Sequence, residues 1–280
     1  MFSDGFWPPN TAMLLFTLLL SIALGLAIPL LCGTGLSARL FWLWPLTAAA
    51  AMLVLMLLYA LILWICSMFI SLSRPLTKAH PLHYRMVLLM EACLMALSNT
   101  RIHAEGLDRL PQGKDFLLVS NHRSMVDPLA YMLAMPDRRI GFLAKLSLAR
   151  VPFLARVMHD CGCLFLDRQN NRAALPIIQQ ATDYLAQGIC CMGVFPEGSR
   201  NPADTLLPFK NGVFKIAKNA EAPIVVATVR NTERILKEVF RKRTDVYVQI
   251  LGVIPAEEVR ALSTPDLGEH IRAWMERTLR

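Results

Sequence analysis

A chain of 280 residues is long enough for one sizeable domain with an attachment, and 55% apolar against 18% charged residues is too apolar for an ordinary soluble protein. A disordered or fibrous chain is excluded by the same balance. The formal net charge is +8, yet residues 1–70 contain only Asp4 and Arg39 as strongly charged groups, so an apolar N-terminal part precedes a basic remainder.

Two long apolar runs come first. From Thr11 to Cys32, and again from Leu40 to Ile70, no acid or base interrupts the sequence. Each run exceeds the roughly 20 residues needed to cross about 30 Å of hydrocarbon. No basic residue precedes the first run and the second follows closely, so a cleaved secretory signal fits poorly. Between them lies Gly33-Thr34-Gly35-Leu36-Ser37-Ala38-Arg39, with one positive charge, whereas Arg74, Lys78 and Arg85 follow the second run. The positive-inside bias then puts the charged remainder in the cytoplasm, with an integral location in the plasma (inner) membrane. The expectation is a helical hairpin and juxtamembrane link over residues 1–80, spanning or, given Pro45 and the short link, re-entrant. Residues 81–280 form the second domain.

Residues Leu82 to Asn99 read as a further apolar helix with Glu91 at its centre, either a core helix or one lying in the lipid interface. After Thr100, short β-branched or aromatic runs alternate with helical windows, which reads as an α/β domain with a mixed sheet and flanking helices. Strands are expected at 116–120, 140–144, 163–166, 192–195, 224–229 and 246–253. Helices are expected at 128–135, 172–187, 213–220, 232–241 and 265–279. Dinucleotide, P-loop and nucleophile-elbow fingerprints are missing from the sequence, so chemistry is sought at strand ends.

Three strand ends qualify. The first runs from Leu117 through Asn121-His122-Arg123-Ser124-Met125-Val126-Asp127-Pro128. An i to i+5 pair does not share a face of a regular helix, so His122 and Asp127 meet only if the turn bends or a helix starts inside it. Ser124 and Asp127 also match a capping box and Pro128 suits a first helical turn, so Asp127 has a structural reading beside the catalytic one. If the two pair, the carboxylate fixes the imidazole tautomer and the ring serves as a general base. No Ser or Cys of the motif is set up as an acyl carrier, so the proton would come from a substrate hydroxyl or water. The second and third ends, Gly162 to Arg168 and Gly193 to Arg200, each deliver an acid and then an arginine, whose fork suits phosphate; a surface ion pair and an ordinary turn are the structural alternatives.

In this order and spacing, Asn121-His122 to Asp127, Gly162 to Arg168 and Phe195 to Arg200 resemble the motifs of the glycerolipid (lysophospholipid) acyltransferase family, typified by the 1-acyl-glycerol-3-phosphate acyltransferases; the likeness covers about residues 100–230. The resemblance implies transfer of a fatty acyl chain from a thioester, acyl-CoA or acyl carrier protein, to the free hydroxyl of lysophosphatidic acid, forming phosphatidic acid. It implies His122 as base, Asp127 as its partner, and Arg168, Glu197, Gly198, Ser199 and Arg200 as acceptor-binding, with Lys145 adding to the phosphate site. Lys210 and Gly212 look like the continuation of the third motif. Where the family's fourth motif carries a second Pro, this chain has Val226, which leaves another lyso-lipid, a lyso-ornithine lipid or glycerol-3-phosphate open as acceptor.

No cofactor is implied beyond the thioester co-substrate. The six His and seven Cys form no ligand-spaced cluster, so no metal is expected, and the Cys161/Cys163 and Cys190/Cys191 spacings suit reduced, buried thiols. The basic residues Arg230, Arg234, Lys237, Arg241, Lys242 and Arg243 form either a solvated face or a surface for anionic lipid or an acidic carrier. Outside the enzymes, a membrane-anchored anionic-lipid-binding protein would need only the apolar runs and this basic surface. Nucleic acid is not an expected partner, because no reader motif accompanies the charge.

Overall fold

The computed structural model describes residues 19–23, 27, 43–72, 75–76, 81–168, 170–239 and 241–279. Two compact units divide the chain, Met1–Ile70 and Ser71–Arg280. In the first, helix α1 (Leu43–Met68) carries the second apolar run. Pro45 falls in its first turn, where a missing N–H breaks no helical bond. The stretch Leu46–Met68 is 23 residues long with a mean hydropathy of 2.6, long and apolar enough to cross a membrane. Apolar side chains such as Leu53, Leu57 and Leu61 stand exposed along it. Most of the first run, and with it the hairpin expectation, lies outside the described residues.

The second unit begins with α2 (Pro81–Leu97), which packs as a core helix: Tyr84, Val87, Leu88, Leu89 and Ala92 are buried, and so is Glu91. Seven strands follow: β1 (Thr100–Glu105), β2 (Leu117–Ser120), β3 (Ile140–Lys145), β4 (Leu164–Leu166), β5 (Cys191–Val194), β6 (Ile224–Arg230) and β7 (Thr244–Ile254). They form one mixed sheet in the order β1-β7-β6-β2-β5-β3-β4. The β6/β7 pair is antiparallel and the other neighbours are parallel. Helices α3 (Asp127–Ala134), α4 (Pro152–Asp160), α5 (Asn171–Ala186), α6 (Lys215–Asn219), α7 (Ile235–Glu238), α8 (Ala256–Ala261) and α9 (Thr264–Leu279) flank it.

Central strands are apolar without alternation because both their faces are covered: every residue of β2 and β5 is buried. Leu117, Val119, Met192, Val194, Ile224 and Val226 pack with Tyr184 of α5, Phe214, and Ile271 and Met275 of α9 in one core. The expected helices at 213–220 and 232–241 are shorter than their windows. Each opens with a 3-10 turn, at Asn211–Phe214 and Thr232–Arg234, and α7 ends at Glu238, where Val239 turns to extended backbone.

Because β2 to β6 all run the same way, their carboxyl ends collect on a single edge of the sheet. That edge gathers the turns after Ser120, Lys145, Leu166, Val194 and Arg230, and ligand sites in open α/β sheets form at such edges.

Candidate active site

Strand β2 delivers Asn121 and His122 to this edge. The Asn121 amide donates to the Val229 carbonyl at 3.0 Å and its Oδ1 accepts from the Val229 amide at 2.8 Å, so one side chain prolongs the β2/β6 ladder and fixes the exit direction. The His122 ring stacks on Phe195 at a centroid distance of 4.2 Å, and Phe195 stacks in turn on Phe142 at 5.7 Å. Gly193 makes room for this stack: a Cβ there would stand 2.3 Å from the Phe142 ring.

The i to i+5 pair does meet. His122 Nδ1 lies 2.7 Å from Asp127 Oδ2, and the Asp127 side chain is fully buried. The same Oδ2 accepts from the backbone amides of Arg123 (2.7 Å) and Ser124 (2.9 Å), while Oδ1 accepts from Thr232 Oγ1 at 2.5 Å. Four donors therefore converge on one carboxylate and fix its orientation. The turn bends because α3 starts at Asp127, with Pro128 in its first turn. Only half of the expected capping box forms. Asp127 reaches back to the Ser124 amide, but Ser124 Oγ approaches the Val126 amide at 3.4 Å, and Val126, the N-cap, makes no side-chain cap bond.

Arg123 is a site residue that the sequence did not suggest. Its guanidinium, almost wholly buried, donates to both Glu233 oxygens (2.8 and 3.2 Å), to Asp204 Oδ1 (2.9 Å), and to the carbonyls of Pro202 and Ala203 (2.5 and 3.1 Å). Burial works against its charge, but Glu233 and Asp204 outweigh burial and hold its pKa above the usual arginine value. Thr232 and Glu233 are adjacent, so the 3-10 turn after β6 is tied twice to the His122 turn. No spacing rule links residues 105 to 110 positions apart, which is why this support was not legible.

Glu197, which the resemblance assigns to acceptor binding, lies under the His122 turn. Both its oxygens are occupied by backbone: Oε1 accepts from the His122 amide (2.8 Å) and Oε2 from the Leu207 amide (2.9 Å). Burial raises its pKa, and these two amides work the other way. A buried carboxylate used in this way holds the third turn against the first.

The remaining expected residues lie at the exits of β3, β4 and β5. Arg168 is half-buried and donates to the Gly198 carbonyl at 2.7 Å, with Gly198 in the left-handed region at φ +70°. Lys210 Nζ donates to the Arg168 carbonyl at 3.0 Å. Burial, and then the positive charge of Arg200, lower the Arg168 pKa, so the two guanidinium groups sense one another. Ser199 and Arg200 are exposed. Lys145 is exposed at the end of β3, opposite Leu166 in register and thus close along the edge to Arg168. Gly212 occupies the 3-10 turn Asn211–Phe214. Val226, where the resemblance implies a proline, is fully buried beside a β-bulge in β6.

Of the other basic residues, Arg230 donates to the Thr278 carbonyl, Lys242 pairs with Glu238 at 3.2 Å and Arg243 with Asp245 at 2.6 Å, so these three have local partners. Among the described residues no group of three or more His, Cys, Asp or Glu is disposed to hold a metal ion. The edge thus offers an imidazole held by a saturated carboxylate, with a group of cations beside it. A positioned base and an anion-binding flank are the parts needed to deprotonate a hydroxyl on a phosphate-bearing molecule.

Residues 101–230 match the family model described as Acyltransferase. The 1-acyl-sn-glycerol-3-phosphate acyltransferase alpha of Bos taurus is 28% identical over 181 residues, covering 64% of this chain and 63% of that protein. The match therefore spans less than two thirds of that relative's length. The 1-acyl-sn-glycerol-3-phosphate acyltransferase of Borreliella burgdorferi is 29% identical over 192 residues, 66% of this chain and 75% of that protein. The crystal structure of the 1-acyl-sn-glycerophosphate (LPA) acyltransferase, PlsC, from Thermotoga maritima superposes with a TM-score of 0.56 at 18% identity, over 81% of this chain and 94% of that one, a likeness of fold.

Proposed function

From the match of residues 101–230 to the Acyltransferase family model, we propose that the chain acylates the free hydroxyl of lysophosphatidic acid to give phosphatidic acid. The thioester donor is acyl-CoA or acyl carrier protein, and no bound cofactor takes part. The names of the bovine and Borreliella relatives support the acceptor class. The single observation that carries the chemistry is the 2.7 Å contact between His122 Nδ1 and Asp127 Oδ2.

With Nδ1 engaged by Asp127, Nε2 is the nitrogen that receives the acceptor's hydroxyl proton. As that proton leaves, the oxygen attacks the thioester carbonyl and a C–O bond forms. Collapse of the tetrahedral species breaks the C–S bond, and the imidazolium returns the proton to the departing thiolate. Asp127 holds the tautomer and offsets the positive charge that develops on the ring. Arg168 and Arg200, with Lys145, grip the acceptor's phosphate; Gly198 and Ser199 shape the turn that carries Arg200. Glu197 contributes by fixing the His122 backbone. A lipid acceptor and product agree with an apolar helix long enough to cross a membrane, and we read the chain as an integral membrane protein with this domain in the cytoplasm.

The test is product formation by the purified full chain from labelled acyl-CoA, or acyl carrier protein thioester, with lysophosphatidic acid, glycerol-3-phosphate, lysophosphatidylcholine and a lyso-ornithine lipid in parallel. Phosphatidic acid is the expected product. Turnover confined to another acceptor would overturn the substrate assignment, and none with any pair would overturn the reading.

A further inference from the structure

His122 leaves β2, and β2 divides the sheet into two flanks. On one side β5, β3 and β4 carry the cations assigned to the acceptor's phosphate; on the other lie β6, β7 and β1. This second flank holds a cleft of about 510 Å³, within the range of small-molecule sites, and no step of the acyl transfer uses it. Its floor is one face of the sheet. β7 alternates, with Val246, Val248 and Ile250 buried and Tyr247 and Gln249 on the open side. In register across three strands, His103, Tyr247 and Arg230 form one row, and Glu105, Gln249 and Thr228 the next. Arg123, the residue after His122, lines the cleft together with its partner Asp204, so the cleft starts beside the catalytic turn. Asn231 and Arg234 line it beyond the end of β6.

The lining suits a phosphorylated ring compound. Tyr247 is 40% exposed and stacks on His103 at a centroid distance of 5.0 Å, so an open ring is held in place as a platform for a base. Gln249, Thr228 and Glu105 offer donors and acceptors to the polar edge of such a base. Arg234 is exposed and approaches Glu233 at 3.9 Å, a carboxylate that Arg123 already holds at 2.8 Å. Arg230 gives one nitrogen to the Thr278 carbonyl. The neighbouring acids are occupied, Asp204 by Arg123 and Asp245 by His103 and Arg243. Arg230 and Arg234 are therefore the groups that can meet phosphate. Of the two thioester carriers, coenzyme A ends in an adenosine with phosphates, whereas a carrier protein offers a folded surface too large for the cleft. We infer that this cleft takes the adenosine phosphate end of coenzyme A, with the base on Tyr247 and the phosphates on Arg230 and Arg234. Donor and acceptor then reach His122 from opposite flanks of the sheet. The identity of the ligand rests on the acyl-transfer reading, and it makes coenzyme A the carrier of the acyl chain.

The test begins with calorimetric binding of coenzyme A and of adenosine 3′,5′-bisphosphate to the purified full chain in detergent, which needs no turnover. Initial rates follow with acyl-CoA, with acyl carrier protein thioester, and with the same acyl chain on N-acetylcysteamine, a thioester without the nucleotide. Both nucleotides are expected to bind, and Arg234→Ala and Tyr247→Ala each to weaken them about fivefold or more. Lys237→Ala, on α7 outside the cleft, leaves binding unchanged. In the rates, the two cleft variants raise KM for acyl-CoA by a similar factor and leave KM for lysophosphatidic acid and for the N-acetylcysteamine thioester where they were. The bisphosphate competes with acyl-CoA and not with lysophosphatidic acid. No binding by the parent, or equal binding by the parent and both variants, overturns the inference whatever the enzyme transfers. Binding that depends on Arg234 and Tyr247 in a chain without acyl transfer upholds the cleft and removes the acyl-transfer reading instead. Variants that raise KM only for the acyl carrier protein thioester overturn the inference in favour of a carrier-protein surface.

Discussion

Asp127→Asn is the substitution that separates charge from shape at the proposed site. The amide can keep its oxygen on the three donors now at Oδ2 (His122 Nδ1 and the amides of Arg123 and Ser124) and turn its NH2 towards Thr232 Oγ1, so the turn is expected to survive. What disappears is the negative charge. A bond to an ionised acceptor contributes about 1 kcal/mol more than a neutral one, so three to four such bonds lower stability by roughly 3–4 kcal/mol. For a domain of this size that is a fall in Tm of about 6–16 °C. The kinetic loss is larger, because the imidazolium formed during proton transfer is no longer offset and the wrong tautomer is permitted; about 10³- to 10⁴-fold in kcat is expected. Thiol release from acyl-CoA in the presence of lysophosphatidic acid gives the rate, and thermal melting in detergent gives the stability. A variant within about tenfold of the parent rate, on a base-catalysis scale of 10² to 10⁴, would refute the claim that Asp127 supports His122 through its charge.

Three further predictions follow from contacts at and beside the site. Arg123→Met leaves Glu233, in a largely buried place, with only the longer 3.9 Å contact to the exposed Arg234, and it should lower stability by about 3 kcal/mol and slow turnover with both donors, read by melting and initial rates. Arg200→Ala should raise KM for lysophosphatidic acid by roughly tenfold or more, as loss of a charge-assisted phosphate bond implies, while leaving KM for the thioester unchanged. Glu91 is buried in α2 with Oε2 unpaired, and burial holds its pKa well above the usual value of 4.5. The folded state thus keeps a proton that the unfolded chain releases, so this contribution is complete below about pH 4.5 and is lost as pH rises towards the folded pKa. Glu91→Gln, neutral throughout, should therefore gain on the parent in Tm as pH is raised from 5 to 8, and a constant difference would contradict the assignment.

Much of the sheet was legible because its central strands are continuous apolar runs, a pattern that burial on both faces imposes. β1 was not, since Thr100-Arg101-Ile102-His103-Ala104-Glu105 is a polar edge strand whose partner β7 lies some 140 residues away. The helix Pro152–Asp160 was missed because, although amphipathic, it is only nine residues long. At the site, His122 and Asp127 could be named by type and motif order, but their pairing depends on a helix starting at Asp127. The parts that stayed hidden are long-range. Thr232 and Glu233 act on the His122 turn from the turn after the neighbouring strand β6, more than 100 residues on, and Glu197, which reads as a ligand at a strand end, turns its oxygens onto the amides of His122 and Leu207.

The central claim is that His122 removes the acceptor's proton, and the most direct measurement is the rate of phosphatidic acid formation by His122→Ala beside the parent, with melting curves to establish that both are folded. The account predicts a loss of about 10² to 10⁴ in kcat, about 3–5 kcal/mol in the barrier, with little change in KM for either substrate. A folded His122→Ala enzyme that turns over at the parent rate would contradict it.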